Sequence, residues 1–207
     1  IALFSVLLVC FSSATYSRNE LWKDGIRLWQ DVAKKSPKKA RAYHNLAFLT
    51  SARGQFEKAL EYGEKALELQ PNDAGSVLVT MGVAYGRMGN VEKEIEYYEK
   101  AFDFGVAHPA KYYNNLGAAY GKKGDLDKAI ENLEKAISVD PSYPASYNNL
   151  GFAFDQKGEY DKAIGLYQKA IALDPHFAEA YNHMGIAFGK KGEPDKTIEY
   201  CTKAIQL

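Results

Sequence analysis

The feature that most constrains this chain is a segment that returns at a fixed interval. YNNLG stands at Tyr113–Gly117 and again at Tyr147–Gly151, and YNHMG follows at Tyr181–Gly185, in steps of 34 residues. YHNLA at Tyr43–Ala47 is an earlier copy, and LVTMG at Leu78–Gly82 fills the gap between them, displaced by one inserted residue. A loop glycine recurs at Gly54, Gly89, Gly124, Gly158 and Gly192, a small residue at Ala66, Ala101, Ala136, Ala170 and Ala204, and a closing proline at Pro71, Pro141 and Pro175. A repeat of this length marks a stacked architecture. One unit cannot bury its apolar face alone, so neighbours complete the core.

Each unit contains two helical patterns. Tyr113, Leu116, Gly117 and Tyr120 fall on one helix face, as do Ala129, Ile130, Leu133, Ala136 and Ile137. The glycine between them, as in KKGDLD, suits a turn that leaves the helical region, and the acidic residue after it favours the first turn of the next helix. Gly117, Gly151 and Gly185 allow close approach of the partner helix, Ala129 and Ala163 sit opposite, and Tyr120, Phe154 and Phe188 fill the space one turn away. Each unit therefore reads as helix–turn–helix.

Composition narrows the function. The chain is 46% hydrophobic and 25% charged, enough for a real core. Its 26 basic and 26 acidic residues balance, which disfavours a phosphate-backbone binder, so no nucleic-acid partner is expected. Cys10 and Cys201 form no disulfide framework, and no Cys/His spacing suggests zinc. His44, His108, His176 and His183 are scattered, the carboxylates lie in DKAIE-type helix surfaces, and no glycine loop cradles a phosphate. The chain is expected to be non-enzymatic, with no catalytic residue, no metal and no cofactor.

The repeat resembles the tetratricopeptide repeat (TPR) family over five units, Ala40–Asp73, Gly75–Pro109, Ala110–Tyr143, Pro144–Phe177 and Ala178–Leu207. The resemblance implies an all-α, right-handed TPR superhelix, a solenoid of helix–turn–helix units. The departures are specific. Glu94 and Thr197 stand where alanine is usual, Gly63 where an aromatic is common, and FGVAHP delays a proline to Pro109, which predicts an irregular junction before the third unit. Upstream, RNELWKDGIRLWQDVAKKSP looks like a degenerate half repeat over residues 18–39, with Gly25 and Val32 at small positions and Trp29 at the large one, making about six units in all.

Residues 1–17 are apolar: Ile1–Ala14 carries no charge. This stretch is shorter than the roughly 20 residues that span a bilayer and lacks the basic start of a signal peptide. It reads as a membrane stub, a processed N-terminus, or the first helix of the degenerate repeat. The apolar helix followed by SRNELWKDGIRLW and KKSPKKARAYHNLA is similar to the junction in membrane O-mannosyltransferase-type proteins, where TPR units follow the last transmembrane helix on the extracytoplasmic side. That resemblance implies membrane association, repeats outside the cytoplasm, and a place as the accessory domain of a membrane glycosyltransferase. At the other end, Ile198, Cys201, Ile205 and Leu207 line a helix with no following partner in the sequence. Together with the apolar N-terminus it raises a further expectation, head-to-tail self-association into a filament or ring.

The site reading rests on the asparagines. Asn115 and Asn149 lie two residues after the tyrosine, about 200° around the helix from it, and so point away from the packed face. The equivalent row across the units is Asn45, Thr80, Asn115, Asn149 and His183. Stacked on the concave side, such a ladder could hydrogen-bond an extended peptide, because each amide offers donor and acceptor. Asparagines of the same row contact peptide main chain in the TPR arrays of glycosyltransferases, which this row resembles. The same amides could instead join neighbouring units. Asn114, Asn148 and Asn182, at the edge of the packed face, suit a structural role better. Arg41, Lys111 and Lys122 complete the candidate groove. TPR domains that clamp acidic chaperone tails place Lys, Arg and Asn on these helices; here one such row reads Phe48, Val83, Ala118, Phe152 and Ile186, and Arg41 and Lys111 match only one element, so that clamp is not expected. The expected function is a scaffold that binds an extended peptide or a partner helix in the concave groove.

Overall fold

The computed structural model describes residues 24–207. The apolar segment 1–17, and with it Cys10 and the membrane-stub reading, lies outside the described residues. Among the described residues there are eleven helices and no strand. They are α1 (Gly25–Lys35), α2 (Ala40–Ala52), α3 (Phe56–Glu68), α4 (Ala74–Arg87), α5 (Val91–Asp103), α6 (Pro109–Lys123), α7 (Leu126–Val139), α8 (Pro144–Gln156), α9 (Tyr160–Leu173), α10 (Ala178–Lys190) and α11 (Pro194–Gln206). None is long and apolar enough to cross a membrane.

From α2 onward the helices pair as α2/α3, α4/α5, α6/α7, α8/α9 and α10/α11, and each pair stacks on the next. The turn within a pair is set by glycine: Gly124 adopts φ +86°, and the same left-handed conformation recurs at Gly54, Gly89, Gly158 and Gly192. Asp125 then caps α7 through the backbone N–H of Lys128, and Asn90 caps α5 through that of Lys93. Pro109, Pro144 and Pro194 occupy helix starts, where a missing N–H costs nothing. Pro109 thus opens α6 rather than closing the preceding unit. Upstream, α1 is capped by Asp24 and packs Ile26 and Ala33 against Ala42 and Leu46 of α2.

Within a pair the core is made by one close approach. A methyl group on Gly151 would lie 2.7 Å from the Tyr167 ring, and one on Gly82 would lie 2.7 Å from the ring of Tyr98. Gly117 meets Leu133 in the same way, and Gly185 meets Cys201. Unit one reverses the sizes: Ala47 is fully buried on the first helix, the second carries Gly63, and Met81 of the next unit fills the space over Gly63. The gap expected at Gly63 is therefore occupied from outside its own unit.

Glu94 shows the same kind of accommodation. It stands where Ala129 and Ala163 are buried in later units, and its carboxylate lies in the notch left by Gly86. Lys122 of α6 donates to both of its oxygens at 3.1 Å, so a buried acid is joined to an exposed base across the second and third units. A buried carboxylate without such a partner would be strongly destabilising.

The stacking has one irregularity. First helices of successive units touch at α2–α4, α6–α8 and α8–α10, but no comparable contact joins α4 to α6. The connector 104–108 occupies that junction. Gly105, at φ +76°, turns its carbonyl onto Gly75 so closely that a methyl there would lie 1.8 Å from the oxygen. Seated on Gly75, the connector wedges Val106, Ala107 and His108 between the second and third units.

Candidate functional site

Each first helix presents four residues at spacings of four, three and four, which is one face of a helix. The stripes read Arg41, Asn45, Phe48, Ala52; Ser76, Thr80, Val83, Arg87; Lys111, Asn115, Ala118, Lys122; Ala145, Asn149, Phe152, Gln156; and Glu179, His183, Ile186, Lys190. The third member of each stripe forms an apolar row. Phe48 is 59% exposed, Phe152 38% and Ile186 42%, and Val83 and Ala118 are half-buried. Three of the five members are thus large apolar side chains left exposed on one side of the first helices.

The polar row beside it is largely committed to holding the units together. Asn149 donates from Nδ2 to Asn114 Oδ1 of the preceding unit at 2.9 Å. His183 Nδ1 lies 3.0 Å from Asn148 Oδ1, which can only accept, so Nδ1 carries the proton. Thr80 lies 3.4 Å from His44 Nε2 and gives its own proton to the Ser76 carbonyl at 3.0 Å; Nε2 is then the donor to Thr80. The acceptors Asn114 and Asn148 are 5% and 1% exposed, so these rungs are sheltered from water. One rule covers all three: the second polar residue of a unit bonds the first polar residue of the unit before it.

At the second-to-third junction the rule fails. The residue opposite Asn115 is Val79, which offers nothing to bond. Asn115 receives only a long 3.4 Å contact from Asn114 Nδ2, and its amide lies by the hydroxyl of Tyr98. Asn45, in the first unit, turns back on its own helix and donates to the Arg41 carbonyl at 2.8 Å.

The candidate residues line several adjoining concavities. The junction pocket has a volume of about 650 Å³ and gathers Thr80, Lys111 and Asn115 with Phe48, Val83 and Arg87. A smaller one of about 210 Å³ holds Asn149, His183 and Lys122 beside Phe152 and Glu179. Arg41 and Asn45 face a separate cleft with Lys38, Lys39 and Asp73. A concavity of about 250 Å³ lined by Val83, Arg87, Glu94, Asn115 and Lys122 links the junction pocket to the smaller one, so the row from Thr80 to His183 runs along connected hollows, and Lys122 is engaged by Glu94. Arg87 and the apolar row lay outside the sequence-derived site. The positions of the row could be counted, three residues on from the asparagine row to Phe48, Val83, Phe152 and Ile186, but their exposure could not.

Burial lowers the pKa of both His44 and His183, so each is held neutral more firmly than a free imidazole. Burial pushes the Tyr112 phenol up to about 12, leaving it a neutral wall of the junction pocket. Among the described residues no group of three or more His, Cys, Asp or Glu side chains is arranged to hold a metal ion.

Comparison with known proteins gives a consistent picture. The crystal structure of MamA is 31% identical over 78% of this chain and 93% of that one, with a TM-score of 0.64. MamA from Desulfovibrio magneticus RS-1 is 27% identical, covering 81% of this chain and 94% of that one, with a TM-score of 0.68. YrrB, described as a TPR protein with an unusual peptide-binding site, is 24% identical over 86% of this chain and 91% of that one, with a TM-score of 0.64; at that identity the likeness shows the fold alone. No curated protein sequence matches. The TPR repeat family model matches residues 117–158 and 153–192, and tetratricopeptide repeat models match 20–72, 40–105 and 178–207. With paired helices, glycine-fitted interfaces and these matches along most of its length, the chain belongs to the tetratricopeptide repeat family.

Proposed function

We propose that this chain is an interaction scaffold whose concave face holds a segment of a partner protein. The observation that carries the reading is the apolar row Phe48, Val83, Phe152 and Ile186 on the first helices, in which Phe48, Phe152 and Ile186 are exposed and Val83 is half-buried. Packed helices lie about 8–10 Å apart. An extended chain rises about 3.3 Å per residue, so every third residue of an extended segment would meet the row; a helix would meet it about every seventh. The polar rungs contribute by holding the units in register, which keeps the row straight. The apolar row is the contact surface in this reading, and the amides are mostly its support.

A photo-crosslinking amino acid placed at Phe152, and separately at Glu134 on the exposed face of α7, tests this. The expected result is a partner adduct from position 152 and none from 134. Adducts from 134 alone would overturn the concave reading, and an adduct to a second copy of the chain would replace a partner protein by self-association.

A further inference from the structure

The junction pocket differs in kind from the rest of the groove. It is about 650 Å³, within the size range of ligand clefts, roughly 300–1,000 Å³. Its walls are Phe48, Val79, Val83, Val106 and Tyr112. Arg87 and Lys111 stand at its rim, and neither has an ion-pair partner among the described residues. Not one carboxylate lines it, although the chain carries 26 acidic residues against 26 basic ones. The concavity that continues from it past Val83, Arg87 and Asn115 carries Glu94, whose carboxylate is already paired with Lys122, and a further one has Glu179 in its wall. The junction pocket therefore joins apolar walls to two cations, Arg87 and Lys111, that no carboxylate pairs among the described residues. It also holds Asn115, whose amide is not tied into a rung.

We infer that the junction pocket is the specificity pocket of the scaffold and takes a large apolar side chain of the partner segment flanked by acidic residues. This rests on the concave-groove reading above. The apolar side chain would enter between Phe48, Val83 and Val106, and the flanking carboxylates would meet Arg87 and Lys111, with Asn115 within reach of the segment's main chain. The two cations come from different units, so acidic side chains within the segment, and not a single free chain terminus, are the groups they would meet. Charge complementarity at a rim contributes selectivity and association rate, and weakens with salt.

The test is selection of a phage-displayed library of random 12-residue peptides, fused through their C-termini, on the whole chain. The enriched peptides are then synthesised with amidated C-termini and measured by fluorescence anisotropy. The expected result is enrichment of an aromatic or large aliphatic residue beside Asp or Glu. The double variant Arg87→Glu with Lys111→Glu then weakens the selected peptides about tenfold or more, with its helical circular dichroism unchanged because both residues are exposed. Peptides without acidic residues, or insensitive to that charge reversal, overturn the specificity pocket. If those same peptides are lost on Phe152→Asp, the concave-groove reading survives. Peptides insensitive to both variants overturn both readings, and so does a library that yields no binder.

Discussion

Asn149 and Asn115 occupy the same position in consecutive units, yet the structure assigns them different costs. Asn149→Ala removes the Nδ2 donor of a 2.9 Å bond to Asn114 Oδ1, and Asn114 is 5% exposed. The lost bond is worth about 0.5–1.5 kcal/mol net, and an orphaned buried acceptor adds about 1–3 kcal/mol where water cannot replace the donor. The Asn149 side is half-buried, so water entering the space recovers part of this. The expected loss is about 1–2 kcal/mol. Asn115→Ala breaks only a 3.4 Å contact and an approach to Tyr98, and its expected loss is below about 0.5 kcal/mol. Urea unfolding followed by circular dichroism at 222 nm measures both. With an m-value of about 2 kcal/mol/M, the midpoint falls by about 0.5–1 M for Asn149→Ala and by less than half of that for Asn115→Ala. Equal losses, or the larger loss at Asn115, would refute the claim that the rung is broken at the second-to-third junction.

Three further outcomes follow from the packing and the titrating groups. Gly151→Ala improves helix propensity by about 1 kcal/mol, but its methyl would lie 2.7 Å from the Tyr167 ring. Overpacking should therefore win, with a net loss of about 1–2 kcal/mol, and the same substitution in a Tyr167→Ala background should cost much less, the 3.1 Å approach to the Ala163 carbonyl remaining; a double-mutant cycle in urea reads the difference. Gly86→Ala forces Glu94 out of its notch and away from Lys122. It should cost about 1–3 kcal/mol alone and much less when combined with Glu94→Ala, again by urea midpoint. His183 has a lowered folded pKa, so the unfolded chain binds more protons as pH falls. The stability it contributes is complete above its ordinary value near 6.5 and is lost as pH drops through the lowered one. Urea midpoints at pH 7.5 and 5.5 should show a smaller drop for His183→Asn than for the unchanged chain, with His44 supplying the remaining histidine effect.

The sequence carried much of this, and the parts it lacked have physical reasons. Helix pairing was legible because Gly117, Leu133 and their equivalents recur at the packing interface itself. The irregular second-to-third junction was legible from FGVAHP, since extra residues in a periodic array must go somewhere. Where they go was not legible: it depends on Gly105 meeting Gly75, two residues with no side chain to leave a periodic signature. The amide row was visible as a set of positions. Its partners were not, because each rung joins the second polar residue of one unit to the first of the unit before, and that offset is set by how the units stack. Glu94 was visible as a missing alanine, whereas the notch at Gly86 and the base at Lys122 come from two other helices. The role of the apolar row was hidden by a different cause. Phe48 and Ile186 have the composition of core residues, and only the folded arrangement of the helices shows them left exposed.

Regularity and recognition make opposite demands on such an array. Every rung that closes, as at Asn149–Asn114 and His183–Asn148, spends a polar group on the scaffold and removes it from the groove. A fully regular array would offer a partner only a repeated apolar stripe, which fixes neither register nor orientation along the groove. The second-to-third junction breaks that degeneracy. Val79 opens the rung, the connector seated on Gly75 separates α4 from α6, and Arg87 and Lys111 are left facing an apolar cavity without compensation. The two units remain joined by the packing of α5 on α6, by the Tyr120 hydroxyl donating to Glu99, and by the Glu94–Lys122 pair. Removing that pair should affect binding at the pocket, because Glu94 and Lys122 line the concavity that continues from it past Arg87 and Asn115.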